Sequence, residues 1–325
     1  MNPQKQHKKI DMQSHHRVIV VVFIPKLEDY YLHMFGVFKL SLESIIATKN
    51  ELCEITVVNN ACCDVVVDYL NVLFSENKIN SLIHHKENIG KIDALVGAAR
   101  GSRERLITTT DADILFVKGW QEAVENVFSS FKNVGSVSPL PIRIGLTSGT
   151  ISTLQKIIFK EVSFSFQKIK ENFIPYNKFR ESIGWDLEPT DDLPWPVVSY
   201  KGVNAILGSA HQVLTIDREI FFSDIPFEPS FTLVGNNSEH NYIDTPIDLS
   251  GKMRLSTFSN YAYHMGNKAE DWMYAVQEQN KTAKAILPVV AFSSLPSTLH
   301  NSRLKTNWFK AKKMVIKRIF NYWYQ

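Results

Sequence analysis

The chain has 325 residues, enough for one large α/β domain or two small ones with a substantial core. Apolar residues make up 44% and charged residues 21%, which excludes a disordered or fibrous chain. A net charge of +3 does not argue for nucleic acid as a partner, and none is expected.

The three cysteines, Cys53, Cys62 and Cys63, have neither the even count of a disulfide framework nor the spacing of a zinc site. Reduced thiols in a cytoplasmic protein are expected. Residues 1–16 read as a disordered polar tail without the apolar stretch of a secretory signal. No run of about 18 apolar residues occurs, so no bilayer-spanning helix is expected.

From Arg17 the pattern alternates. Arg17–Ile24 is a β-branched run, as expected of a strand covered on both faces. Asp29–Ala47 places Tyr31, Phe35, Phe38, Leu42 and Ile45 at helical spacing. Glu54–Val58 reads as a strand, Val65–Phe74 as a helix, Ser81–His84 as a strand and Gly90–Ala99 as a helix. Arg105–Thr110 is a fourth strand that ends on Asp111; a helix over Gly119–Phe131 and a strand over Gly135–Pro139 follow. Such alternation with short connections predicts a mostly parallel sheet with helices on both faces. Ligands of such sheets bind beyond the carboxyl ends of the strands, where Asn59, Asn60, Asp64, Asn88, Asp111 and Asp113 fall.

Residues 140–200 break this rhythm and read as an inserted lid, with a helix around Ile151–Lys170 and a surface acidic group of Asp186, Glu188, Asp191 and Asp192. Strand and turn patterns resume from Val203 to Tyr263. The expected organisation is a domain over 17–300, with a binding half (17–140), the lid (140–200) and a second half (201–300). Residues 301–325 are expected to form a basic amphipathic helix.

Thr110-Asp111-Ala112-Asp113 sets two carboxylates around one small residue at a strand end. Hard divalent cations such as Mg2+ and Mn2+ take oxygen ligands and commonly share them between carboxylates and substrate phosphates.

Four motifs in order resemble the family-2 glycosyltransferases, over about residues 17–140 and 205–267. They are the opening apolar strand, Val58-Asn59-Asn60-Ala61-Cys62-Cys63-Asp64 after the second strand, Asn88-Ile89-Gly90-Lys91 before the third helix, and the D-x-D strand Ile107–Asp113. The resemblance implies a Rossmann-like GT-A fold that binds a nucleotide-sugar donor, most simply a UDP-sugar. In it Asn59, Asn60 and Asp64 lie near the base, Asn88, Gly90 and Lys91 near the diphosphate, and Asp111 and Asp113 at the metal. Asn59 stands where the family has an acid, and an Asn carbonyl can accept the same hydrogen bond. The alternative reading of Asn59–Asp64 is a turn cluster whose side chains bond their own backbone.

The family also carries Glu-Asp at a helix start and, some 25 residues on, a metal histidine. Here Glu239-His240 and His264 fill those places, and the resemblance implies a metal set of Asp111, Asp113 and His264. With His240 replacing the second acid, Glu239, His240 and Asp244 are the candidates for the base of an inverting transfer, Glu239 first. His211, in the turn Leu207–Gln212, is expected near the acceptor or the donor sugar.

The resemblance further implies a saccharide or lipid-linked acceptor and a role in bacterial surface polysaccharide or glycolipid assembly. The tail, Lys305 to Tyr324, would set Phe309, Val315, Ile316, Ile319, Phe320 and Trp323 on one face and Lys310, Lys313, Lys317 and Arg318 opposite. Such a helix suits either an anionic membrane surface or packing on its own domain. Nucleotidylyl transfer and NAD-dependent chemistry lack support, since Phe23-Ile24-Pro25-Lys26 follows the first strand and no G-x-G-x-x-G follows any. A degenerate member that binds without turnover is the remaining alternative.

Overall fold

The computed structural model describes residues 12–143, 148–283 and 303–324. Twelve strands are described among them: β1 His16–Val22, β2 Cys53–Asn60, β3 Ser81–His85, β4 Leu106–Thr110, β5 Ile114–Phe116, β6 Val134–Ser138, β7 Ser163–Lys168, β8 Pro194–Tyr200, β9 Val203–Leu207, β10 Val213–Asp217, β11 Met253–Thr257 and β12 Ala262–His264. The helices are α1 Met34–Thr48, α2 Asp64–Ser75, α3 Lys91–Gly101, α4 Trp120–Ser130, α5 Ile151–Ile158, α6 Phe173–Ser182, α7 Ile220–Ser223, α8 Thr245–Leu249, α9 Asp271–Thr282 and α10 Arg303–Tyr324.

Ten strands form one sheet in the order β3-β2-β1-β4-β10-β6-β11-β9-β8-β7. The first four are parallel. β10 then enters antiparallel between β4 and β6, and β11 runs parallel to β6. From β9 to β7 the pairing is antiparallel. The architecture is thus α/β with a mixed central sheet whose parallel half is the segment that alternates in sequence. Strand order reverses beside β1, which opens a crevice at the carboxyl ends of β1, β2 and β4.

Alternation along β1 explains why helices cover both faces. Val18, Val20 and Val22 pack with α1, α2 and α4 residues such as Phe38, Leu70 and Trp120. Ile19 faces the other way, onto α3 and α7 through Ile92, Leu95 and Phe221. The fold begins before Arg17: Ser14, His15 and His16 are buried. Both histidines bond the buried Glu125 carboxylate, at 3.1 and 2.9 Å. Residues 1–11 of the expected tail lie outside the described residues, as do residues 284–302.

The expected helix over 151–170 is two elements. Lys160, at φ +56°, ends α5's turn, and Ser163–Lys168 continues as β7 against β8. Phe164 and Phe166 alternate with polar residues, a period of two that suits a strand. The inserted region therefore widens the sheet through β7 and β8 and adds α6. Its acidic residues are surface ion-pair partners, Glu188 with Arg180 and Arg143, and Asp192 and Asp191 with Lys168 and Lys170.

In α10, Ile316 and Phe320 are buried, and Phe164 meets the rings of Phe320 and Tyr324 at 5.3 and 5.4 Å. Phe309 and Ile319 join this packing, whereas Val315 and Trp323, expected on the same face, stay exposed.

Candidate active site

A cavity of about 440 Å3 occupies the crevice, lined by Asn60, Asn88, Lys91, Asp111 and Asp113 beneath Phe23, Tyr30, Tyr31 and Val234. Each polar residue is delivered by a strand end or the helix after it. Asn60 ends β2 and donates to the Asn88 carbonyl at 2.8 Å, while its own carbonyl accepts from the Ile89 amide at 3.1 Å. Asn88 also accepts from the Gly90 amide at 2.9 Å. Gly90 sits at φ +92°, ψ 146°, a backbone region other residues avoid. The Thr232 carbonyl crosses there, 2.2 Å from where a Cβ would stand. That crossing seats residues 230–234 on the start of α3, where Lys91 N–H donates to Leu233 C=O at 3.0 Å and the Asp93 carboxylate accepts from Ser230 and Phe231.

Lys91 links two acids. Its ammonium lies 2.6 Å from Asp111 and 3.4 Å from Glu239. Burial alone would lower its pKa, but the two carboxylates outweigh that and raise it. Glu239 feels the converse: burial pushes its carboxyl up, and Lys91, with a hydrogen bond from Ser238, holds it below the usual range.

Asp113 is held differently. The antiparallel β5–β12 ribbon, with His264 opposite Ile114 and Met265 N–H donating to the Asp113 carbonyl at 2.8 Å, carries the histidine to the aspartate. His264 Nε2 is 3.4 Å from Asp113 Oδ2. Ser182, the last residue of α6, donates its hydroxyl to the Phe179 carbonyl at 2.7 Å. Its oxygen therefore accepts from His264 Nδ1–H, 2.7 Å away. In the neutral ring this leaves the Nε2 lone pair facing a carboxylate oxygen. Asp113 Oδ1 is buried with no hydrogen-bond partner. Burial, and next the like charge of Asp111, push Asp113 up to about 6 against the pull of Lys91 and of His264 when its ring is protonated.

Two acceptors facing each other beside an orphaned carboxylate oxygen fit a divalent cation. Asp113 and His264 would hold it. Among the described residues no three His, Cys, Asp or Glu side chains already form a metal cluster, because Asp111 is turned to Lys91. Tyr30 and Asp113 also line a second cavity of about 410 Å3 that extends past His264 to Lys178, Lys268 and Trp272.

Beyond Glu239 the chain makes a wide helical turn, His240–Asp244, of the kind that often marks functional sites. Arg254, buried on β11, donates to Asp244 at 2.5 Å, to the Ser209 hydroxyl and carbonyl at 3.1 and 3.0 Å, and to the Gly149 carbonyl at 3.0 Å. Burial would raise the Asp244 carboxyl, and Arg254 outweighs it, so Asp244 stays ionised. The other Asp244 oxygen faces His211 at 3.6 Å and His240 at 3.9 Å, both about two-fifths exposed. Asp111 N–H donates to Gln212 C=O at 2.8 Å, which ties the His211 turn to the D-x-D segment.

Of the residues expected from sequence, Asn60, Asn88, Gly90, Lys91, Asp111 and Asp113 gather in or beside the crevice, and Glu239, His240 and Asp244 flank it. Asn59 and Asp64 do not join them. The Asn59 carbonyl accepts from Cys62 N–H at 2.8 Å and its amide meets His84 at 2.9 Å, so that side chain closes a turn. Asp64 opens α2, exposed to solvent. Tyr30, Tyr31, Phe23, Ser182 and Arg254 were not expected at the site from the sequence; an aromatic cluster after the first strand was the one available signal.

The fold and site define an α/β protein with a charged, aromatic-walled crevice at the carboxyl edge of its sheet. The family model described as Glycosyl transferase family 2 matches residues 37–181. No curated protein matches the chain. Among solved structures it is similar to the mannosyltransferase PcManGT from Pyrobaculum calidifontis in complex with GDP-Man and Mn2+, at 15% identity and TM-score 0.40 over 76% of this chain and 55% of that one. It is similar to GalNAc-T7 with UDP, GalNAc and Mn2+ at 13% identity and TM-score 0.46, over 78% of this chain and 44% of that one. For S. aureus TarS the figures are 13% and 0.44, over 82% of this chain and 38% of that one. The chain thus spans 38% to 55% of the length of these proteins.

Proposed function

We propose that this protein is a metal-dependent, inverting glycosyltransferase that moves a sugar from a nucleoside-diphosphate donor, a UDP-sugar, to a saccharide or lipid-linked acceptor. The observation that carries the reading is the facing pair Asp113–His264 beside Lys91 in one crevice. The donor's base lies against Tyr30 and Phe23, near the Asn60–Asn88 pair, rather than against Asn59. Its diphosphate lies by Lys91, whose ammonium can exchange Asp111 for phosphate oxygens. Asp113 and His264, with Asp111 once Lys91 turns away, would hold a divalent cation, Mn2+ or Mg2+, which when bound would supply charge neutralisation at the diphosphate.

In the transfer, the acceptor oxygen forms its bond to the anomeric carbon as the bond from that carbon to the phosphate oxygen breaks. The electron pair leaves on the nucleoside diphosphate, and the acceptor's proton passes to Glu239. Lys91 couples these events, because an ammonium drawn to the diphosphate relaxes its hold on Glu239 and lets that carboxylate become a stronger base. His240 and His211, backed by the ionised Asp244, orient the acceptor hydroxyl. A cytoplasmic location and a step in bacterial surface polysaccharide or glycolipid assembly accord with this reading.

The test is release of nucleoside diphosphate from a panel of UDP-, GDP- and CDP-sugars with Mn2+ and a saccharide acceptor mixture. Turnover of one donor that needs metal and falls at least about a hundredfold in Glu239→Gln is expected. Tight nucleotide binding without turnover of any donor would instead favour a degenerate, binding-only protein.

A further inference from the structure

The terminal helix carries more apolar surface than its own domain uses. Ile316 and Phe320, one turn apart, are the α10 residues sunk in the core, against Phe164 of β7. About a third of the way round the helix from them, Trp308, Val315 and Tyr322 follow one another at seven-residue steps and are 75%, 57% and 87% exposed. Met314 (66%) widens that strip on its outer side, and Trp323 (53%) is exposed between the strip and Ile316. Seven residues are close to two helical turns, so the strip runs for about 21 Å along the outer face.

The charge on the same helix is of one sign. Between Arg303 and Tyr324 there are seven Lys and Arg and no Asp or Glu. Lys310 and Arg318 are exposed beside the strip, and Lys312, Lys313 and Lys317 are partly exposed around it. No helix among the described residues is long and apolar enough to cross a membrane.

We propose that the outward face of α10, Trp308, Met314, Val315 and Tyr322 flanked by Lys310 and Arg318, docks this protein on an anionic lipid surface, with the helix lying along that surface. The argument is complementarity. Indole and phenol rings have an apolar body and a polar edge, and they settle at the level of lipid headgroups. Lysine and arginine stems lie along the apolar layer while their charged ends reach anionic headgroups. A second copy of this chain fits the strip poorly, since face-to-face pairing would oppose two helices that carry only positive charge. Because Ile316 and Phe320 hold the helix to the domain, the strip is presented as a fixed face rather than on a free tether. The inference rests on this surface alone and holds with or without glycosyl transfer.

The experiment is co-sedimentation of the full chain with vesicles of phosphatidylcholine alone and of phosphatidylcholine mixed with phosphatidylglycerol, at low and high salt. Binding to the mixed vesicles is expected, weakened by salt and absent from the neutral ones. The double charge reversal Lys310→Glu/Arg318→Glu should lower affinity roughly tenfold or more. The double variant Trp308→Ser/Tyr322→Ser should lose binding while its melting temperature stays at the wild-type value, since both side chains are exposed. Failure to bind anionic vesicles, equal binding to neutral ones, or unchanged affinity in either double variant would overturn the proposal. So would a wild-type dimer in solution that Trp308→Ser/Tyr322→Ser dissolves, which would assign the face to a second copy.

Discussion

Replacing Gly90 by alanine tests whether the crevice is built as described. The backbone there, φ +92° and ψ 146°, lies in a region essentially reserved for glycine, and holding alanine in it costs about 1–3 kcal/mol. The new methyl would stand 2.2 Å from the Thr232 carbonyl oxygen. Ordinary contact requires the crossing backbone to retreat by about 1 Å, and the Lys91 N–H to Leu233 C=O bond is lost with it, a further ~1 kcal/mol. The sum is about 2–4 kcal/mol, a fall in melting temperature of roughly 3–6 °C for a chain this size.

The control is Gly36→Ala within α1. No atom lies within 4 Å of the added Cβ, and removing a helical glycine gains about 0.5–1 kcal/mol. Thermal and urea denaturation of both variants beside wild type give the comparison. The site should respond too, because residues 230–234 carry Leu233 and Val234 into the cavity wall. A Gly90→Ala protein within about 0.5 kcal/mol of wild type would refute the described crossing of loop and helix.

Four further outcomes follow from the charged groups. Glu125 is fully buried; burial would raise its carboxyl, and the hydrogen bonds from His15, His16 and Gln121 hold it at about 2. A depressed acid contributes stability that is full above its unfolded value near 4.5 and is lost as pH falls toward 2. Denaturation from pH 6 down to pH 3 should therefore show a loss that Glu125→Gln lacks, of at most about 3 kcal/mol.

Asp113 has the opposite sign. Raised to about 6 by burial, its ionised form costs stability at neutral pH, so Asp113→Asn should melt higher than wild type at pH 7.5, by an amount on the order of 2 kcal/mol. Arg254→Leu strands the Asp244 carboxylate and should cost about 3–5 kcal/mol in denaturant titrations, where a mere surface pair would cost under about 1. Lys91→Met should weaken nucleoside-diphosphate binding at least about tenfold by calorimetry while leaving the fold intact; unchanged affinity would remove Lys91 from the diphosphate.

The parallel half was legible because β1, β2 and β4 are short runs rich in β-branched residues and the helices between them carry apolar stripes. The strand-end rule then located Asn60, Asn88, Asp111 and Asp113 without any contact being known. β7 was not legible, since the two alternations within Ser163–Lys168 are too few to tell a strand from a continuation of the preceding helix. The turn-cluster alternative for Asn59–Asp64 accords with the Asn59–Cys62 bond, but the sequence could not reveal that the Asn59 amide also meets His84, or that Arg254 reaches Asp244, Ser209 and Gly149 at once. Those contacts arise from strand neighbours and loops far apart in the chain. The same holds for Ser182, whose hydroxyl orients His264 across 82 positions. In the terminal helix, periodicity grouped Val315 with Ile316, but only the position of Phe164 decides which of the two is inside.

The central claim is a nucleotide site completed by a divalent cation at Asp113 and His264. It is tested most directly by thermal-shift titration with UDP, GDP and CDP, with and without Mn2+, on wild type, Asp113→Ala and His264→Ala. A ligand that binds only the native state raises the melting temperature by mass action. The account predicts a shift with UDP that requires Mn2+ and disappears in both variants; no shift with any nucleotide, or one indifferent to Mn2+ and to both substitutions, would contradict it.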